Sequence, residues 1–156
     1  MGAPEPIRVL FLCTGNSCRS QMAEGFARAL LAGRVRAWSA GTEPQGLNPL
    51  AVRAMREAGI DISGHRSKNV DDALAQAGAF DVVITVCGHA NEACPVFHDG
   101  ACVVHVGFDD PPRLAADAPD DDAAMVHYRR VRDEIRAYIE TLPETIEGIH
   151  AERGMT

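Results

Sequence analysis

Apolar positions along the chain switch between a near-continuous pattern and a helical one. Ile7-Arg8-Val9-Leu10-Phe11-Leu12 is almost unbroken and predicts a buried strand over residues 7–13. Residues 20–32 follow with Met22, Phe26 and Leu30 at four-residue spacing, which marks one face of a helix. A short strand is predicted around Arg34–Ser39, a loop over Gly41–Asn48, and a helix from Pro49 to Ala58 that Gly59 ends. Residues 70–77 read as a short helix. Phe80–Val86, rich in β-branched residues, is the clearest strand, and Ala101–Val106 is the next. Asp120 to Asp122 can cap a last helix carrying Tyr128, Val131, Ile135, Tyr138 and Leu142 every three or four residues, with Pro143 as its stop. The tail from Gly148 is expected to be mobile.

Alternating strands and helices predict an α/β fold, an open parallel four-stranded sheet covered by helices on both faces in three layers. Ligands of such sheets bind beyond the C-terminal ends of the strands, where residues 13–20 fall. No internal repeat and no linker composition interrupts the chain, so residues 1–156 are expected to be one domain with an ordered core over about 7–143. No apolar run approaches the ~18 residues of a membrane span. Residues 1–6 lack the basic and apolar regions of a signal peptide, so the cytoplasm is the expected address.

Composition narrows the partners. Apolar content of 46% and charged content of 24% are ordinary for a soluble globular protein. The net charge of −7 argues against nucleic acid or an anionic membrane as partner. It also repels an anionic substrate, which must therefore be held by local donors. Five cysteines, an odd number in a chain of this length, fit a reducing compartment and working thiols better than a disulfide scaffold.

The chemistry concentrates in Cys13-Thr14-Gly15-Asn16-Ser17-Cys18-Arg19-Ser20, between the first strand and the first helix. Such a turn aims backbone N–H groups and the positive end of a helix dipole at one point, where an anion sits well. Arg19 adds a planar fork of donors matched to two oxygens of one anion. Gly15 and Asn16 tolerate the left-handed backbone that lets successive amides converge. Positive surroundings of this kind bring a thiol from ~8.5 into the ~3.5–7.5 range. Cys13 at the floor of the cup is thus a candidate nucleophile, and Ser20 could donate to its sulfur. A lone strand-end cysteine is more often a small core residue; the loop and Arg19 argue against that here. Asp110, before Pro111 and beyond the last strand, is biased to an extended backbone that can project its carboxyl at the cup as a general acid.

C-x5-R followed by serine after the first strand, with Asp-Pro after the fourth, resembles the low-molecular-weight protein tyrosine phosphatase fold. Residues 13–24, Ser39-Ala40-Gly41, Gly107–Pro111 and Arg130–Ile135 are more narrowly similar to thioredoxin-coupled arsenate reductases on that fold, with a resemblance running from about residue 7 to about residue 140. It implies Cys13 as nucleophile, and Arg19 with Thr14, Gly15, Asn16, Ser17 and Cys18 as the oxyanion cradle. It also implies Ser20 as thiolate stabiliser and Asp110 as acid. Phosphotyrosine phosphatases follow the Asp-Pro with aromatic residues, whereas Pro112 stands here.

Cys87 and Cys94 favour the reductase, because a phosphatase has no use for the pair and a two-electron reduction can run through thiol–disulfide exchange. The resemblance implies a cascade: an arseno-thioester on Cys13, then a Cys13–Cys87 disulfide, then a Cys87–Cys94 disulfide reduced by thioredoxin. Disulfide partners need Cα atoms within ~4.4–6.8 Å. Residues seven apart on a helix are ~10 Å apart, so a helical 87–94 segment is expected to unwind when the two join. Phosphatase action on a phosphoester is the second reading, and arsenical binding or redox sensing by Cys13, Cys87 and Cys94 without catalysis is a third. C-x4-C with C-x6-C is poor spacing for structural zinc. Cys18 and Cys102 are expected to be structural, and the six histidines show no metal pattern.

Some relatives hold potassium beside the loop through residues matching Asn16, Glu24 and Ser39 and an aspartate whose place Lys68 takes here. The Lys68 ammonium is expected to fill that site and meet Glu24, leaving no role for potassium. No cofactor is expected. The implied partners are arsenate and thioredoxin, with no nucleic acid and no membrane, and a monomer is the simplest expectation.

Overall fold

The computed structural model describes residues 5–86 and 102–153. Elements follow in the order β1 (Ile7–Cys13), α1 (Arg19–Leu30), β2 (Val35–Gly41), α2 (Pro49–Glu57), α3 (Val70–Ala77), β3 (Val82–Thr85), β4 (Cys102–His105), α4 (Pro111–Leu114) and α5 (Asp121–Arg153). The four strands are parallel in the order β2-β1-β3-β4. Leu12 is level with Ala40 on one side and Thr85 on the other, and Thr85 with His105. Cys13 and Gly41 therefore close their strands side by side at the C-terminal end of the sheet.

Burial explains why β1 is central. Val9, Leu10, Phe11 and Leu12 are all fully buried, so both faces of the strand are covered. β4 alternates half-buried and exposed residues, with Val103 half exposed. Cys102, expected in the core, is accordingly only partly buried against it.

Local chemistry starts the helices. Asn48 caps α2 by accepting from Leu50 N–H at 2.8 Å, with Pro49 at its first position. Asn69 accepts from Asp72 N–H at the start of α3, and Asp120 from Ala123 N–H at the start of α5. α1 differs, for Cys18 provides no side-chain cap. Its first-turn donors are left to something else.

Two expectations about helices need correction. Leu30, placed on the buried face of α1, is 40% exposed, whereas Ser20 through Ala27 are buried without a break. The helix is enclosed on several sides at once, by β1, β2, α2 and α5. Gly25 permits this: a Cβ there would stand 2.7 Å from Ile62 Cγ2. α5 also does not stop at Pro143 or leave a free tail from Gly148; it continues to Arg153. Proline inside a helix costs ~3 kcal/mol through a lost hydrogen bond and a clash. The buried stripe Ile135, Ile139, Leu142 and Ile146 carries on past it and offsets that cost. Residues as far apart as Ile7 and Ile146 join one core.

Candidate active site

The loop from Cys13 to Cys18 owes its shape to the way its carbonyls are satisfied. Thr42 N–H donates to Cys13 O at 3.3 Å, Glu43 N–H to Thr14 O at 2.8 Å, Gln45 N–H to Gly15 O at 2.9 Å and Asn48 N–H to Ser17 O at 2.9 Å. Ser67 Oγ also donates to Gly15 O, and Gln21 Nε2 to Asn16 O. Across a planar trans peptide the following N–H points the opposite way. With its carbonyls drawn outward, the loop turns its amides inward, beside the uncapped start of α1. They converge on a cleft of about 780 Å³ lined among others by Cys13, Arg19, Gln45, Phe108, Asp110 and Arg113.

Single residues make this turn possible. Asn16 has φ +47°, the left-handed conformation expected of it; Gly15 does not, and its lack of a side chain serves the close approach of Gln45 instead. Asn16 Nδ2 donates to Ser20 Oγ at 2.9 Å, which leaves the Ser20 hydroxyl hydrogen for another acceptor. Cys13 is 4% exposed at the end of β1.

Arg19 and Asp110 meet at the wall of the cleft. Arg19 Nη1 donates to Phe108 O at 3.0 Å, and Nη2 lies 3.5 Å from Asp110 Oδ1. Among the described residues, Arg19 Nε is buried without a hydrogen-bond partner, an orphaned donor on a charged group. Asp110 is extended, with φ −90° and ψ 105°, just before Pro111 opens α4. Its neighbour Asp109 also lines the cleft but is engaged by Arg130, whose Nη2 donates to Asp109 Oδ2 at 3.0 Å, whereas Asp110 is the one paired with Arg19. Burial pushes the Cys18 thiol far above its usual range, with Arg19 acting against the shift and Asp110 with it. Cys18 thus stays protonated and serves the loop through its backbone.

Glu24, Ser39 and Lys68 come together beneath the loop. The Glu24 carboxylate is almost fully buried and accepts from Ser39 Oγ at 2.6 Å. Lys68 Nζ lies 3.7 Å from Glu24 Oε1, while Arg28 Nε and His65 Nδ1 lie 3.1 and 3.5 Å from Oε2. Burial lowers the pKa of both Lys68 and His65, and Glu24 opposes the shift in each. Lys68 N–H donates to Asn16 Oδ1 at 2.9 Å, so this cluster is continuous with the cup.

Sequence reasoning missed Gln21, which bonds Asn16 through Nε2 and His65 through Oε1. Its full burial in α1 appears only in the structure, and the sequence carries no signal for it. It also missed Gln45, Asn48 and Tyr128, whose partners are remote in the chain. Cys87 and Cys94 lie outside the described residues, as does the expected unwinding between them. Among the described residues no group of His, Cys, Asp and Glu is placed to hold a metal, and no helix is long and apolar enough to cross a membrane.

The chain is 49% identical over 137 residues to an arsenate reductase of Halalkalibacterium halodurans, covering 88% of this chain and 95% of that one. An arsenate reductase solved in a phosphate-binding state superposes with a TM-score of 0.69 at 34% identity, over 90% of this chain and 98% of that one. A thioredoxin-dependent arsenate reductase of Corynebacterium glutamicum matches with a TM-score of 0.65 at 26% identity, over 94% of this chain and 64% of its own. The family model for low molecular weight phosphotyrosine protein phosphatases matches residues 8–151, a span that carries the cup, Asp110 and the cluster beneath them, and this chain belongs to that family.

Proposed function

We propose that this chain is an arsenate reductase recycled by thioredoxin. The observation that carries the oxyanion part is the orphaned Arg19 Nε in a cup whose loop carbonyls are drawn outward. A tetrahedral oxyanion supplies acceptors for that nitrogen and for the amides together. The reductase part rests on Cys87 and Cys94 in the sequence and on the arsenate reductases among its relatives. The side chains that follow Asp110 and line the mouth are Pro112, Arg113 and Leu114, which offer no aromatic stack to a phenyl leaving group.

In the first step the Cys13 thiolate attacks arsenic, an As–O bond breaks, and Asp110 gives its proton to the departing oxygen, which leaves as water. The product is a Cys13–S–As(V) ester. The Cys87 thiolate then attacks Cys13 Sγ. The S–As bond breaks with its electron pair going to arsenic, which leaves as arsenite, and a Cys13–Cys87 disulfide remains. Cys94 attacks Cys87, frees the Cys13 thiolate and forms Cys87–Cys94. A thioredoxin dithiol reduces that bond and becomes oxidised itself. Phosphate is close to arsenate in shape, so slow phosphoester hydrolysis through the same Cys13 and Asp110 accompanies the main activity.

The test follows NADPH consumption with arsenate, thioredoxin and thioredoxin reductase beside p-nitrophenyl phosphate hydrolysis. Cys87→Ser and Cys94→Ser are expected to abolish multiple turnover of arsenate and spare the hydrolysis. Cys13→Ser abolishes both. Arsenate turnover that survives Cys94→Ser would sink the cascade.

A further inference from the structure

The segment from Thr42 to Asn48 has no role in the chemistry above, yet its N–H groups hold four of the loop carbonyls. Asn48 ends this row and commits every polar atom it has. Its backbone N–H holds Ser17 O at 2.9 Å, and its Oδ1 caps α2. Its Nδ2 donates to the hydroxyl of Tyr128, on α5, at 2.9 Å. Capping asks only for an oxygen, which serine or aspartate supplies equally well. The amide nitrogen is what asparagine adds, and it is spent on Tyr128.

We infer that Asn48 and Tyr128 are positioning residues of the oxyanion loop, fixing through the Ser17 carbonyl the direction of the Ser17–Cys18 peptide. The N–H of that peptide stands opposite the held carbonyl and next to the start of α1, among the donors that face the anion. Tyr128 is 3% exposed, and burial pushes its phenol further above neutral pH, so it stays a neutral hydroxyl. The tie therefore locks one amide orientation of Asn48 and joins the loop to α5, which packs in turn on α1. This inference rests on the cup being an oxyanion site.

Asn48→Ser keeps the capping oxygen and drops the donor; Tyr128→Phe drops the acceptor. Inorganic phosphate is titrated calorimetrically into the reduced full-length chain, each single variant and the double variant. Each single change is expected to weaken phosphate binding about fivefold, the worth of one ordinary hydrogen bond. The double variant is expected to lose about the same fivefold and not about twenty-five-fold, because both changes cut one link. Both single variants lose the same buried hydrogen bond and are expected to lower the urea midpoint modestly, and in both the pH midpoint of Cys13 alkylation by iodoacetamide, followed by peptide mass spectrometry, moves upward. Parental phosphate affinity with a lowered urea midpoint would show a tie that serves stability alone, which overturns the inference. A multiplicative loss in the double variant overturns it as well. An unmodified chain that binds no phosphate overturns the oxyanion reading and the inference with it, an outcome distinct from unaffected variants of a chain that does bind.

Discussion

A methyl group on Gly41 would stand 2.5 Å from Thr14 O, 2.8 Å from Asn16 N and 3.0 Å from Asn16 Cβ. All three atoms belong to the oxyanion loop and two are backbone, so nothing can rotate out of the way. Gly41→Ala is expected to displace the loop at a cost of about 2 kcal/mol in urea unfolding and to weaken phosphate binding. Gly64→Ala is the control, since a Cβ there meets nothing within 4 Å and it is expected to change stability by under about 0.5 kcal/mol. Equal effects of the two would mean that the close approach at Gly41 does not matter. Lys68 carries the other prediction at this scale. Its ammonium sits 3.7 Å from Glu24 Oε1, beside the place where the family resemblance implies a potassium site, and we propose that it does the work of that ion. Turnover is then the same in potassium and sodium salts at fixed ionic strength, and Lys68→Asp makes it respond to potassium. Several-fold stimulation of the unmodified enzyme by potassium would refute the substitution.

At the scale of elements, the long helix separates what was legible from what was not. β1 falls at 7–13 and α3 at 70–77, as read from the sequence, because a run of apolar strand residues and a short helical pattern are local signals. The Cys13–Ser20 cup was legible for the same reason, and Asp110 through its proline. The helix beyond Pro143 was not, because what sustains it is contact of Leu142 and Ile146 with a core assembled from distant parts of the chain. The Asn16–Lys68 and Asn48–Tyr128 ties likewise join residues 52 and 80 positions apart and leave no periodic trace. α4 is four residues long, too short to show a period. Two substitutions test the continuation of α5. Pro143→Ala restores a helical hydrogen bond and is expected to raise stability by about 2 kcal/mol, the proline penalty less its restriction of the unfolded chain. Ile146→Ala is expected to lower it by about 3 kcal/mol through lost burial. If the helix ended at Pro143, denaturation would register neither change.

Taken whole, the molecule ties its chemistry to its stability. The oxyanion loop is held by β1 and α1 at its ends, by Thr42–Asn48 along its outer side, and through Asn48 by α5. Its net charge of −7 means that attraction for a doubly charged anion is local, so anion binding draws on these same ties. Trp38, the sole tryptophan of the chain, sits in β2, 6% exposed and edge-to-face with Phe80 at 5.9 Å. Its fluorescence reports the sheet, while far-UV circular dichroism reports chiefly the helices, with α5 the longest at 33 residues. One continuous core predicts that both probes follow a single urea transition with the same midpoint. Phosphate at a hundred times its dissociation constant then stabilises the whole by about 2.7 kcal/mol and shifts both midpoints equally. Should phosphate move the helical signal and leave Trp38 behind, the loop would be coupled to α5 alone, and sheet and helices would unfold as separate units.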